Sequence, residues 1–102
     1  MRQSGLQSVI AGNWSDVTPA LRSDLRAIFG RVISDAGLSQ TLAAKMCFTD
    51  QPTLSKILSG RSDSVSTDQL LRWLVHLGCK VEITVRCTDA RAAGTITANI
   101  HE

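Results

Sequence analysis

Tyrosine is absent from the 102 residues, and aromatic residues of all kinds make up only 4%. A core must therefore be built mainly from Leu, Ile, Val and Ala, which favours packed helices over an aromatic-rich β-sandwich. No stretch approaches the ~20 apolar residues that a membrane span needs. Gln3, Ser4, Gln7 and Ser8 interrupt the segment after Met1-Arg2, so it does not read as a secretory leader. A soluble, cytoplasmic protein with no membrane partner is expected. Cysteine is scarce: Cys47, Cys79 and Cys87 cannot all pair within one chain. Their spacing fits neither a zinc ligand set nor a C-x-x-C motif, and only His76 and His101 could assist. Free thiols in a reducing compartment, with no metal and no cofactor, are the expectation. One-sided charge is lacking as well. Eleven Lys plus Arg against nine Asp plus Glu give +2, which excludes a broad basic surface and leaves nucleic-acid binding only to a local motif.

What is present is 43% hydrophobic and 20% charged, the composition of one small globular domain. Residues 1–17 read as a partly ordered arm. Thr18-Pro19 fits a helix start, with Thr18 as N-cap and Pro19 where a missing N–H is harmless. Leu21, Leu25, Ile28, Phe29, Val32, Ile33 and Ala36 then form one stripe of helical period, and Gly37 is a natural stop. Ser39 caps a second helix running to about Cys47. Asp50 caps a third over Gln51 to about Ser59, with Pro52 tolerated in its first turn and Gly60 ending it. Ser66-x-x-Gln69 is a capping-box pattern that opens a fourth helix, which Gly78 ends.

Beyond Gly78 the period falls to two. Val81, Ile83 and Val85 alternate with Glu82, Thr84 and Arg86, and Ile96, Ala98 and Ile100 alternate with Thr95, Thr97 and Asn99. Two strands joined through 87–94 are predicted, as a hairpin that must pack on the helices or pair with another chain.

Residues 38–60 have the build of a helix-turn-helix, with small Ala43 and Ala44 allowing a close helix crossing. In projection, Leu54, Ile57 and Leu58 form the buried side of the third helix. Pro52, Lys56 and Ser59, flanked by Thr53 and Ser55 and led by Gln51, form the outer one. That small polar face, with one cation and no acid, is either a plain solvated surface or one that reads base edges in a major groove.

Over 38–60 the chain resembles, without gaps, the XRE family of λ-repressor/Cro-type helix-turn-helix proteins, whose motif opens as Leu38-Ser39-Gln40 does here. Asp50-Gln51-Pro52-x-Leu54-Ser55-x-Ile57-Leu58-x-Gly60-Arg61 is more closely similar to small HigA-like antitoxins and regulators. So is Ser66-Thr67-Asp68-x-Leu70-Leu71-Arg72-x-Leu74, running on into Val81–Arg86. The resemblance implies a mainly α fold: a four- to five-helix λ-repressor-like domain over 18–78 with its motif at 39–59, then a strand or two-stranded hairpin over 79–102. It implies that Gln51, Pro52, Thr53, Ser55 and Lys56 face base edges of double-stranded operator DNA, while Gln40, Ser59 and Arg61 hold phosphates. It also implies an antitoxin that neutralises a RelE-like toxin and represses its own operon, or a stand-alone regulator without a toxin. Three departures stand out. Phe48 occupies a turn position that is usually Gly, which strains the backbone if φ is positive. Thr49 replaces a usual buried aliphatic residue, a space Phe48 is expected to fill instead. Leu42 stands where a polar residue would complete a capping box.

In the fourth helix, Leu70, Leu71, Trp73, Leu74, Val75 and Leu77 span an arc of roughly 200°, wider than a one-sided stripe. This is either deep burial in a monomer or a second contact surface. A two-fold homodimer is favoured, with Leu71, Trp73, Val75, Val81, Ile83 and Val85 as contacts to a second copy or a partner. His76 and His101 read as solvated, Cys47 as packing. No catalytic signature or phosphate-cradling glycine loop is present, and an enzyme is not expected. Residues 38–61 carry Lys45, Lys56 and Arg61 against Asp50, a local +2 equal to the whole net charge.

Overall fold

The computed structural model describes the backbone of residues 2–61, 64–87 and 94–101, and side chains from residue 19 onward. Among the described residues four helices follow one another: α1 (Arg2–Asp35), α2 (Gln40–Met46), α3 (Gln51–Leu58) and α4 (Thr67–His76).

Three of the four begin as local chemistry dictates. Ser39 Oγ accepts from Leu42 N at 3.1 Å, Asp50 Oδ1 from Thr53 N at 2.8 Å, and Ser66 Oγ from Gln69 N at 3.1 Å. Each satisfies a helix-start N–H that has no partner within the helix. The first helix differs from expectation. It opens at Arg2, not after Thr18, and carries Pro19 inside it. Leu6, Ile10 and Trp14 precede Leu21 and Leu25 at near-helical intervals, so the helical period runs through the proline although Pro19 withholds one N–H from the ladder.

All four helices end the same way. The residue after the C-cap turns left-handed, and its N–H and the next one bond back into the last turn. At α1 these bonds are Gly37 N to Ser34 O and Leu38 N to Ile33 O, both 3.0 Å. Gly60 and Arg61 close α3, and Gly78 and Cys79 close α4, with the same pattern. At α2 the pattern recurs as Phe48 N to Lys45 O at 3.1 Å and Thr49 N to Ala44 O at 2.9 Å. There the left-handed residue is Phe48, at φ 58°.

The core joins one face of every helix. Leu25, Phe29 and Ile33 of α1 meet Ala43 and Ala44 of α2, Leu54 and Ile57 of α3, and Leu70, Trp73 and Leu74 of α4, with Cys47 and Val65 from the connections. Phe29 and Trp73 lie ring to ring at 5.4 Å. Helix α1 packs on α4 and α3, and α2 on α3.

The strand or hairpin expected over 79–102 is not supported: among the described residues there is no strand. The connection at 88–93 lies outside them. The two-residue alternation is nonetheless visible in burial, since Ile96, Ala98 and Ile100 are half-buried while Thr95, Thr97 and Asn99 are exposed. Ala98 packs against the core, and its N–H makes a long 3.5 Å hydrogen bond to Asp24 Oδ2 of α1. Period-two patterning gives a segment a buried and an exposed side. A ladder further requires a neighbouring backbone, and a lone pair of strands is marginal in water.

Candidate nucleic-acid interface

Helices α2 and α3 form a unit whose turn is the Phe48 stop of α2 followed by the Asp50 cap of α3. Leu54 and Ile57 anchor α3 in the core, which turns Pro52, Thr53, Lys56 and Ser59 outward; all four are exposed. Gln51 and Ser55, at the margins of that face, are half-buried.

The first residues of the two helices are tied together. Gln51 Nε2 donates to Gln40 Oε1 at 2.8 Å. One N–H and the carbonyl oxygen of the Gln51 amide, and the whole amino group of Gln40, stay outside this bond. Sequence projection treated the two glutamines separately. Their contact depends on how α2 and α3 cross, which spacing along the chain does not fix.

At the other end of α3, Arg61 Nε donates to Ser59 Oγ at 2.9 Å, and Ser59 Oγ donates to the Lys56 carbonyl at 3.0 Å. The Ser59 hydroxyl proton is thus engaged within the chain, and the serine's effect is to hold Arg61. The remaining guanidinium N–H groups of Arg61, an exposed residue, point the available charge outward. Asp50 is the only acid in 38–61. Hydrogen bonds from Thr53, with the Lys56 charge adding to them, lower its pKa below the ordinary value, so the cap is an anion at neutral pH.

Phe48 does not fill the space left by Thr49. Its side chain is 83% exposed and meets His76 of α4 edge to face, with ring centroids 5.2 Å apart. A left-handed backbone at the turn aims the ring away from the core. Among the expected contact residues, Trp73 is also placed differently: it is buried against Phe29, a core residue and not a surface one. Leu71 and Val81 are half-buried, whereas Val75, Ile83 and Val85 are 55%, 76% and 83% exposed.

Residues 16–86, most of the chain, match the family described as "Helix-turn-helix domain". The chain belongs to the helix-turn-helix domain family. Among solved structures, this helix-turn-helix protein is similar to one described as "Putative XRE Family Transcriptional Regulator". The two share 27% identity at a TM-score of 0.78, covering 85% of this chain and 99% of the other. Both comparisons support the XRE-type reading of residues 38–60. No curated protein sequence matches this one. Among the described residues, no helix is long and apolar enough to cross a membrane.

Proposed function

We propose that this chain is a sequence-specific DNA-binding transcriptional regulator that sets the outer face of α3 into the major groove. The observation that carries the reading is the head of that face, where Gln51, held by Gln40, stands beside exposed Pro52, Thr53 and Lys56. An amide that both donates and accepts suits the N6/N7 edge of adenine, and Gln51 retains one donor and its acceptor for it. Lys56 suits guanine or a phosphate, while the Pro52 ring and the Thr53 methyl suit a thymine methyl. Ser55 sits at the margin of the same surface. Gln40 and Arg61 hold phosphates on either side, with Ser59 orienting Arg61, and so fix the position of α3 without reading sequence. The regulator named among similar structures supports this reading.

In this reading the protein is a cytoplasmic repressor acting as a homodimer on a palindromic operator. Its resemblance to HigA-like proteins over Asp50–Arg61 and Ser66–Leu74 supports a further role as antitoxin to a small RelE-like ribonuclease, with autoregulation of the shared operon. Co-expression and pull-down with the product of the neighbouring gene separates this from a stand-alone regulator, which retains no toxin.

Gel shifts and footprinting on the upstream DNA test the interface. Gln51→Ala and Lys56→Ala should weaken operator binding while leaving the circular dichroism spectrum unchanged, because neither side chain belongs to the core. Loss of the Gln51 contact should remove about 1–3 kcal/mol of discrimination at one base pair. Binding indistinguishable from the unmodified protein would overturn the assigned face.

A further inference from the structure

Among the described residues, the β-prone stretch after α4 pairs with no strand. Val81 is half-buried against the core, but Ile83 is 76% and Val85 83% exposed, and no backbone ladder engages this stretch among the described residues. Alternating β-branched residues with open N–H and C=O groups form a template for another strand. The order of residues indicates which strand fits.

Around Thr84 the sequence is self-complementary. One step out lie Ile83 and Val85, two steps out Glu82 and Arg86, three steps out Val81 and Cys87. We infer that residues 81–87 pair antiparallel with the same residues of a second copy of this chain, about a two-fold axis at Thr84. In that register each Ile83 lies opposite a Val85 on one face and each Glu82 opposite an Arg86 on the other, giving two opposite-charge pairs by symmetry. Neighbouring registers lose this match. Centring on Glu82 sets that carboxylate against its own copy, and centring on Ile83 sets Lys80 against Arg86. Centring on Val85 leaves Glu82 facing Thr88 and Arg86 facing Thr84. Parallel in-register pairing stacks Glu82 on Glu82 and Arg86 on Arg86. Charge complementarity therefore selects both the direction and the register. Val81, seated on the core of each copy, ties the two-stranded ribbon to both domains and supplies the packing that such a ribbon needs.

The inference rests on the dimeric reading above and names its interface. Glu82 and Arg86 are both exposed, so reversing their charges leaves each domain's core untouched. Light scattering and sedimentation over a concentration series should find a dimer for the unmodified chain. Glu82→Arg or Arg86→Glu alone should raise the dimer dissociation constant about tenfold or more, as two attractions become two repulsions. The combined Glu82→Arg, Arg86→Glu variant should restore it. In a Cys87→Ser background, Thr84→Cys should form an intermolecular disulfide under mild oxidation. Residues facing each other across the axis lie about 4.5–5.5 Å apart at Cα, within disulfide reach, whereas a register shift carries them beyond it. A dimer insensitive to both reversals and lacking the cross-link overturns this pairing and leaves the dimer standing on another surface. A monomer at all concentrations overturns pairing and dimer together, while gel shifts on the same protein report separately on DNA binding.

Discussion

Phe48 sits at φ 58° with its ring in solvent, a position where a glycine closes each of the other three helices. A side chain in the left-handed region costs roughly 1–2 kcal/mol, and an edge-to-face ring contact such as that with His76 returns about 0.5–1.5 kcal/mol. The two nearly cancel. Phe48→Gly is accordingly expected to change stability by less than about 1 kcal/mol in either direction, as measured by urea unfolding. Cys47 lies at the opposite extreme of burial. It is 4% exposed, its thiol faces the Trp73 carbonyl at 3.8 Å, and desolvation raises its pKa from 9.0 to about 11. Because the unfolded thiol ionises first, the stability associated with this neutral thiol is full below pH 9 and declines as pH climbs towards 11. Thiol labelling at pH 8 should modify exposed Cys87 well before Cys47, which reacts only when the domain opens.

At the scale of the element, Gly30 lies inside α1, towards its C-terminal end, where glycine is less favourable than alanine by about 0.5–1 kcal/mol. A methyl group there would lie 3.6 Å from Leu58 Cδ2, an ordinary contact. Gly30→Ala should therefore raise stability by about that amount and lift the melting temperature by a few degrees. The starts of α2, α3 and α4 and the stops at Gly37, Gly60 and Gly78 were legible in the sequence because each is decided within about six residues by one side-chain oxygen or one glycine. At Phe48 the sequence marks a special turn position but decides neither the left-handed backbone nor the direction of the ring. The beginning of α1 was misread because Thr18-Pro19 satisfies the local rule for a start while the apolar period continues through it. The strands were misread for a different reason: alternation specifies sides, and a ladder depends on backbone from elsewhere. Trp73 was misassigned because a wide apolar arc on α4 does not tell burial by α1 from burial by another chain. On α3, projection separated the core and outer faces correctly but did not reveal that Gln40 meets Gln51 or that Ser59 engages Arg61.

At the scale of the molecule, the net +2 is matched by the local +2 of residues 38–61, and a two-fold dimer would present it twice. For the proposed operator complex, Arg61→Ala should weaken binding on every sequence alike and reduce the slope of log affinity against log salt by roughly one. Titrations at several salt concentrations check this against Gln51→Ala, whose effect should depend on sequence. Behind that contrast stands the amide pair of Gln40 and Gln51. Two flexible side chains that already hold each other have given up rotamers before DNA arrives, so less ordering remains to oppose docking. Cations set how often protein and DNA meet, and salt governs that encounter rate. In the proposed complex the glutamine pair would govern residence, making a matched complex slow to leave and a mismatched one, with the amide held in a geometry that suits another base, quick to dissociate.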